Sequence, residues 1–380
     1  MIPLLQVWAG WVGMALASVA LAYTCVACLA VAVRRTLPRA VCGVMPPVTL
    51  LKPLFGAEPG LYDCLRSCCE QSYPTFQIVC GVRDPQDPAV AIVRRLQGEF
   101  PGCALDLVID GRQHGSSGKV SNLINMMAQA RHDRLVLADS DVRVGPDYLM
   151  RVVEPLQDAG VGIVTCAYVG RPEHGPWSRL GAAFINEWFI PSVFVAALFG
   201  SRAFAFGATI GLRRDTLDAI GGFAAIADQL ADDYRLGELT RRLGLRTELS
   251  DLLVETRVNE PTCTELVRHE LRWLRTIRAV RPAGYASSFV TFGVPLALCG
   301  CLLEGFSALA LVLLGGTLLA RLILASLVAR SSSVLTHWWL GPVSDFLGFA
   351  LWAWGFASRR VHWKQARYRV ARDGSVQPIR

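Results

Sequence analysis

The sequence predicts an α/β domain on a largely parallel sheet, held between apolar membrane segments at the two ends of the chain. Three observations predict it. Of 380 residues, 52% are apolar, too many for an ordinary soluble protein, and they concentrate at the ends. Between about Pro46 and Val254 short β-branched runs alternate with helical stretches. Within that region an apolar run, Leu135 to Ala138, closes on Asp139-Ser140-Asp141, as strands do where open α/β sheets bind ligands.

Leu5 to Val33 carries no charge, and only Gln6, Ser18 and Thr24 are clearly polar. That exceeds the roughly 20 residues needed to cross a bilayer core, so residues 1–36 read as a transmembrane anchor. Ala30-Val31-Ala32 resembles a signal cleavage site, but no Lys or Arg precedes the run, and the run is too long for a signal peptide. Arg34, Arg35 and Arg39 follow it and place the N-terminus outside and the next segment in the cytoplasm. Residues 46–260 form the cytoplasmic α/β domain. Its clearest strands are Val48 to Leu51, Phe76 to Val82, Leu105 to Ile109, Arg134 to Ala138 and Val161 to Tyr168; its helices are Tyr62 to Gln71, Ala89 to Glu99 and Val120 to Ala130.

Thr262 and Glu265, at capping-box spacing, open a helix that ends before Pro282. Arg268, Arg272, Arg275, Arg278 and Arg281 alternate there with Leu, Trp and Ile, so residues 261–284 suit the membrane–water interface. Residues 288–358 are apolar with breaks at Glu304, Arg321, Pro342 and Asp345, which allows two to four crossings. An inside tail requires an even number, so one candidate is re-entrant or interfacial. Trp338, Trp339, Trp352, Trp354 and Trp363 are expected interface anchors. The tail, 359–380, holds Arg359, Arg360, Lys364, Arg367, Arg369, Arg372 and Arg380 against one acid, Asp373. It accounts for much of the net charge of +7, and beside a span it points to anionic lipid headgroups rather than nucleic acid.

The twelve cysteines follow no zinc-like spacing and fit a reducing compartment. Gly115 to Asn122 looks like a phosphate loop, but a P-loop needs Gly at Gln113 and Ser or Thr at Val120, which excludes an ATPase of that type. Lys119 still stands at a helix start, where backbone N–H groups favour a diphosphate; a solvated surface lysine is the plainer reading.

Asp139 and Asp141 are candidate ligands for Mg²⁺ or Mn²⁺, which take one or two carboxylates plus diphosphate oxygens, although turns are also rich in Asp. Asp84 ends a strand and begins an Asp-Pro turn, so it either caps the next helix or meets a nucleotide. Asp232-Asp233 opens the helix running to Gly244; there the helix dipole lowers a carboxylate pKa while the neighbouring acid raises it. His269, Arg272 and Trp273, at i, i+3 and i+4, share one helix face.

In the order Asp84, Asp139-x-Asp141, Asp233, His269-x-x-Arg272-Trp273, the chain resembles the inverting, membrane-bound glycosyltransferases with a GT-A fold, and within them the ceramide glucosyltransferase-like family. Lys52 to Gly56 resembles its Lys-Pro-Leu-x-Gly segment, Asp84 to Pro88 its Asp-Pro turn, and Lys119 to Leu123 its Lys-Val-x-Asn-Leu segment. Ala138 to Val144, Leu217 to Phe223, Asp232-Asp233-Tyr234 and Trp363 to Arg369 resemble four further segments. Bacterial hopanoid-associated glycosyltransferases are relatives of the same kind. The family has Gln or Arg at the position of His269, where an imidazole can still donate to a phosphate oxygen or stack.

The resemblance implies a GT-A nucleotide-diphospho-sugar transferase domain with a mixed sheet, a UDP-sugar donor and a membrane lipid acceptor. It implies that Asp84 binds the nucleotide, that Asp139 and Asp141 hold the metal and diphosphate, that Asp233 is the base, and that Arg272 and Trp273 complete the donor and acceptor site. Lys119 and His269 are further donor contacts. Two other functions compete: a processive polysaccharide synthase of the cellulose or hyaluronan type, and a catalytically inactive membrane scaffold. The short, interrupted C-terminal block argues against a polymer channel, and the complete acid set against the scaffold.

Overall fold

A computed structural model of the chain describes residues 2–35, 43, 45–332, 334, 338–358, 360–363, 366–370 and 376–378. Helix α1 (Ile2–Arg35) is followed by β1 (Val48–Pro53), α2 (Leu61–Cys69), β2 (Phe76–Val82), α3 (Ala89–Glu99), β3 (Ala104–Ile109), α4 (Gly118–Met126) and β4 (Arg134–Ala138). These four strands lie in the order β3-β2-β1-β4 and all run parallel. Their runs are apolar because helices cover them, leaving β1 and β2 almost wholly buried.

Beyond β4 the sheet departs from the largely parallel expectation. After β5 (Val142–Arg143), α5 (Tyr148–Val153) and β6 (Val161–Pro172) come α6 (Gly175–Phe184), a π-turn at Ile185–Phe189 and α7 (Ile190–Leu198). Then follow β7 (Thr209–Arg213), α8 (Arg214–Ala219), α9 (Asp232–Arg242) and β8 (Arg246–Val258). The eight-stranded sheet continues β4-β7-β6-β8-β5, with β7 antiparallel to both β4 and β6, β6 parallel to β8, and β5 antiparallel to β8. The sheet is therefore mixed.

The helix expected over residues 261–284 is α10 (Cys263–Val280), capped at Thr262, whose hydroxyl accepts from the Glu265 N–H at 3.2 Å. It leads into α11 (Pro282–Ser287), α12 (Gly293–Leu303), α13 (Ala308–Ser332) and α14 (Leu340–Gly355). Among the described residues three helical stretches are long and apolar enough to cross a membrane: Gln6–Arg34, Gly175–Leu198 and Ala308–Ser332. A fourth arises if Pro282–Thr291 and Gly293–Leu303, bent by 67°, make one span. Gly175–Leu198 is not legible as a span in the sequence, because Asn186 and Glu187 interrupt it; in the fold both are buried.

Helix α1 crosses α12 at two glycines. A Cβ on Gly300 would lie 2.6 Å from the Gly13 carbonyl oxygen, so only glycine permits this approach. The same helix is tied to the eight-stranded sheet through Arg34, which donates to the carbonyls of Leu249 (3.0 Å) and Ser250 on β8. Of the expected anchors, Trp338, Trp339 and Trp354 are exposed, whereas Trp352 packs on Tyr285 and Phe349. The tail forms a three-stranded antiparallel sheet from β9 (Arg360–Trp363), β10 (Ala366–Val370) and β11 (Val376–Pro378). Arg39, Arg359, Lys364, Arg372 and Arg380, and the side chains of Arg35, Arg360, Trp363, Arg367 and Arg369, lie outside the described residues.

Candidate active site

The C-terminal ends of β1, β2 and β4 form one edge of the parallel half-sheet, and the candidate site gathers there. Strand β4 delivers Asp139. Its carboxylate Oδ1 lies 2.6 Å from the Lys119 Nζ. Lys119 sits in the first turn of α4, whose N-cap Ser117 accepts from the Val120 N–H. The loop before it is fastened to the far side of the cleft: the Ser117 N–H donates to the Ala227 carbonyl (2.9 Å) and the Ser116 N–H to Asp228 (2.7 Å). Its phosphate-loop look thus has a structural use, to bring Lys119 to Asp139.

Helix α9 delivers Asp232 and Asp233 in its first turn. Asp232 lies 3.6 Å from the same Lys119 Nζ. Asp233 Oδ2 accepts from the Gly207 N–H (2.8 Å) and Oδ1 from the Tyr234 N–H (2.7 Å). Gly207 marks the convergence: a Cβ there would lie 3.3 Å from Asp233 Oδ2, 3.4 Å from Asp139 Oδ2 and 3.4 Å from Lys119 Nζ. Two carboxylates and an ammonium, from residues far apart in the chain, surround one point. Any side chain at 207 would crowd it.

Burial dominates the electrostatics here. It pushes the Asp233 carboxyl up to about 6, reinforced by Asp232 and opposed by Lys119 and the two N–H donors. Burial works against the charge on Lys119, but Asp139, Asp232 and Asp233 outweigh it and raise its pKa.

Asp141, on the same turn as Asp139, accepts from the Thr256 hydroxyl of β8 at 2.5 Å. Burial first, and then the Asp139 charge, raise its pKa. The turn is held from below by Lys52 of β1, a fully buried lysine whose Nζ donates to the carbonyls of Asp139 (2.6 Å) and Val142 (3.3 Å). Sequence reasoning gave Lys52 no role; a lysine inside an apolar strand was the available signal.

Asp84 stands exposed after β2 and accepts from the Gln86 N–H (2.8 Å), which leaves it at the sheet edge but outside the Asp139–Lys119–Asp233 group. Asp87 does more for local architecture. It accepts from the Gly56 N–H (2.9 Å) and the Ala89 N–H (2.9 Å), so it joins the loop after β1 to the start of α3.

On α10, His269 Nδ1 meets the buried carboxylate of Glu260, and its ring lies edge-on to Trp273 at 5.4 Å. Glu260 is a partner that sequence spacing did not reveal. The Arg272 carbonyl accepts from the Thr276 hydroxyl at 2.7 Å, while its guanidinium makes no hydrogen bond or ion pair with a described residue; burial lowers its pKa, against the pull of Glu270, Tyr168, Glu260 and Asp139. Burial raises Glu270 to about 7. Trp273 lies 6.0 Å from Tyr168 and 6.2 Å from Phe189, and Phe189 stacks on Tyr168 at 4.4 Å. Phe206, beside Gly207, continues this wall at 5.0 Å from Phe189. An aromatic surface therefore runs from the carboxylates toward α7 and α1.

Among the described residues no group of three or more His, Cys, Asp or Glu is placed to hold a metal ion. Asp139 and Asp141 by themselves offer hard oxygen donors, a set that fits Mg²⁺ or Mn²⁺ only when a ligand's oxygens complete the shell.

Comparison with known proteins follows the same lines. A ceramide glucosyltransferase of Caenorhabditis elegans is 22% identical over 242 residues, 63% of this chain and 51% of that protein. A ceramide glucosyltransferase of Komagataella phaffii is 31% identical over 132 residues, 32% of this chain and 25% of that protein. The chain thus spans about half the length of the first of these relatives and a quarter of the second. Among solved structures, the mannosyltransferase PcManGT of Pyrobaculum calidifontis, in complex with GDP-Man and Mn²⁺, shares the fold at a TM-score of 0.54 and 19% identity, over 92% of this chain and 99% of that one. The mixed sheet is accordingly of the GT-A type. With residues 12–376 matching the family profile, the chain belongs to glycosyl transferase family 21.

Proposed function

We propose that the protein transfers a hexose or N-acetylhexosamine from a UDP-sugar to the hydroxyl of a membrane lipid, a ceramide or a hopanoid polyol, with inversion at the anomeric carbon. The convergence of Asp139, Lys119 and Asp233 on the point marked by Gly207 carries this reading. A single displacement needs one base for the acceptor and positive charge for the leaving group, and both stand within one residue's width.

Asp233 takes the acceptor's hydroxyl proton as the new C–O bond forms. The bond from the anomeric carbon to the diphosphate breaks with its electron pair, and UDP departs beside Lys119. A Mg²⁺ or Mn²⁺ held by Asp139 and Asp141 would neutralise charge on that diphosphate. Asp84 offers a nucleotide contact at the sheet edge, and His269 and Arg272 offer donors to phosphate. Trp273, Tyr168 and Phe189 keep water from the reacting carbon and offer the lipid an apolar path. The catalytic domain faces the cytoplasm of a bacterial inner membrane in this reading, with the basic tail against anionic headgroups.

The test is incubation of the full chain in nanodiscs with a panel of UDP-sugars and a total lipid extract, with products read by mass spectrometry. One sugar added to one lipid is expected. Polymer would indicate a processive synthase, and binding without product an inactive scaffold. Because Asp233 is raised to about 6 and works as the carboxylate, kcat/KM should be flat above that pH and fall tenfold per unit below it. A limb centred near the ordinary carboxylate value of about 4 would contradict the burial argument.

A further inference from the structure

Arg321 is a charged residue in the apolar helix α13, yet it is almost fully buried, at 6% exposure, and does not reach for a headgroup. A cation inside a membrane segment is costly and points to a task with named partners. Its partners are specific. One guanidinium nitrogen donates to the Glu187 carbonyl oxygen at 2.9 Å; the other lies 2.6 Å from Asp345 Oδ1 and 3.7 Å from Glu187 Oε2. Asp345, on α14, also accepts from the Val294 N–H of α12 at 3.2 Å. One arginine thus joins α13, α14, α12 and the π-turn.

The π-turn is where this matters. A π-turn breaks the regular i to i−4 ladder, and Pro191, four residues after Glu187, has no N–H to offer its carbonyl; such turns recur at functional sites. Arg321 supplies a donor on the membrane side. On the sheet side, the Asn186 side-chain amide exchanges two hydrogen bonds with the backbone of Gly170 on β6, at 2.8 and 2.9 Å. Two residues before Gly170 stands Tyr168, and three residues after Asn186 stands Phe189, stacked on it. The turn is therefore gripped from both sides at the place that aims the aromatic wall toward Asp233 and Asp139.

We infer that Arg321 is a positioning residue for transfer: by holding the π-turn through the Glu187 carbonyl and Asp345, it fixes Phe189 and Tyr168 against the reacting groups. This rests on the transferase reading, because turnover is one of its readouts. Helix glue alone would predict loss of stability and nothing more.

The test compares Arg321→Lys, which keeps the charge for Asp345 but not the two-pronged grip, with Arg321→Met and Phe189→Leu, in the full chain in nanodiscs. UDP-glucose affinity, transfer into a total lipid extract and amide exchange across Ile185–Ile190 are measured. Arg321→Lys is expected to cut kcat on the order of 10–100-fold with UDP-glucose affinity within about twofold, and to speed exchange at the π-turn. Combined with Phe189→Leu it should cost little more than the worse single change, since both act on one wall. Arg321→Lys with wild-type turnover and exchange overturns the inference even if Arg321→Met fails to fold, and so do effects that multiply. A wild-type chain that binds none of a panel of UDP-hexoses and UDP-N-acetylhexosamines and forms no glycolipid from them fails the transferase reading instead, and takes this inference with it.

Discussion

Asp233→Asn is expected to lower transfer by on the order of 10²–10⁴-fold while leaving UDP-sugar affinity within about twofold. The amide is nearly isosteric but cannot accept the acceptor's proton at neutral pH. It still offers one oxygen to the Tyr234 or Gly207 N–H, so the loop carrying Gly207 stays close to its place. Donor affinity should not suffer, since the change removes a negative charge near the incoming diphosphate. The competing role for Asp233, helix capping, makes the opposite prediction. Asn caps as well as Asp, so a capping residue would tolerate the change in both stability and turnover. In the fold Asp233 lies inside α9 after Ala231, and its carboxylate reaches the Gly207 loop, which already sets it apart from a simple cap. Single-turnover transfer and equilibrium UDP binding, measured side by side, separate the two.

Asp139→Asn should fail at the other end of the reaction. It removes the closest counter-charge of Lys119 and one of the two oxygen donors suited to a divalent ion. Loss of one electrostatic stabiliser of a developing anion typically costs about 10²–10³-fold, and here donor binding should fall with turnover. Chelation of divalent ions from the wild type should reproduce the defect, and added Mn²⁺ should restore the wild type but not the variant. Asp141→Asn should be milder, because its carboxylate is already engaged by the Thr256 hydroxyl. Equal loss of UDP affinity in Asp233→Asn and Asp139→Asn would remove the division of labour between them.

The sequence was legible where burial is uniform. Strands β1, β2 and β4 are mostly apolar because both faces are covered, and the strand that precedes Asp139 places it. Strand β8 was not legible: Glu248, Asp251, Glu255 and Arg257 interrupt its apolar residues. Those charges are answered across the fold, Glu255 by Arg143 and Arg171, Asp251 by Arg151 and Arg257 by Glu173, which no local pattern reveals. Missing β7 and β5, the strands that run antiparallel to their neighbours, made the sheet look more parallel than it is.

The site divides in the same way. Residue types at strand ends and helix starts carried Asp84, Asp139, Lys119 and Asp233. The long-range pairings did not show, because Lys119 with Asp139, Gly207 with Asp233 and Glu260 with His269 are set by the tertiary path. Gly207 has no signature at all until the three groups around it are seen. The Asp233 pKa is a similar case: helix dipole and neighbouring acid oppose each other in sequence, and only the burial of the site makes the carboxyl a stronger base.

The proposed reaction is a single displacement in which Asp233 deprotonates a lipid hydroxyl as UDP leaves beside Lys119 and Asp139. Proton NMR of the isolated glycolipid tests it most directly. From α-linked UDP-glucose, inversion gives one β-glucosyl residue per lipid, with the large diaxial H1–H2 coupling of that anomer. An α-linked product, formed with retention, would contradict it.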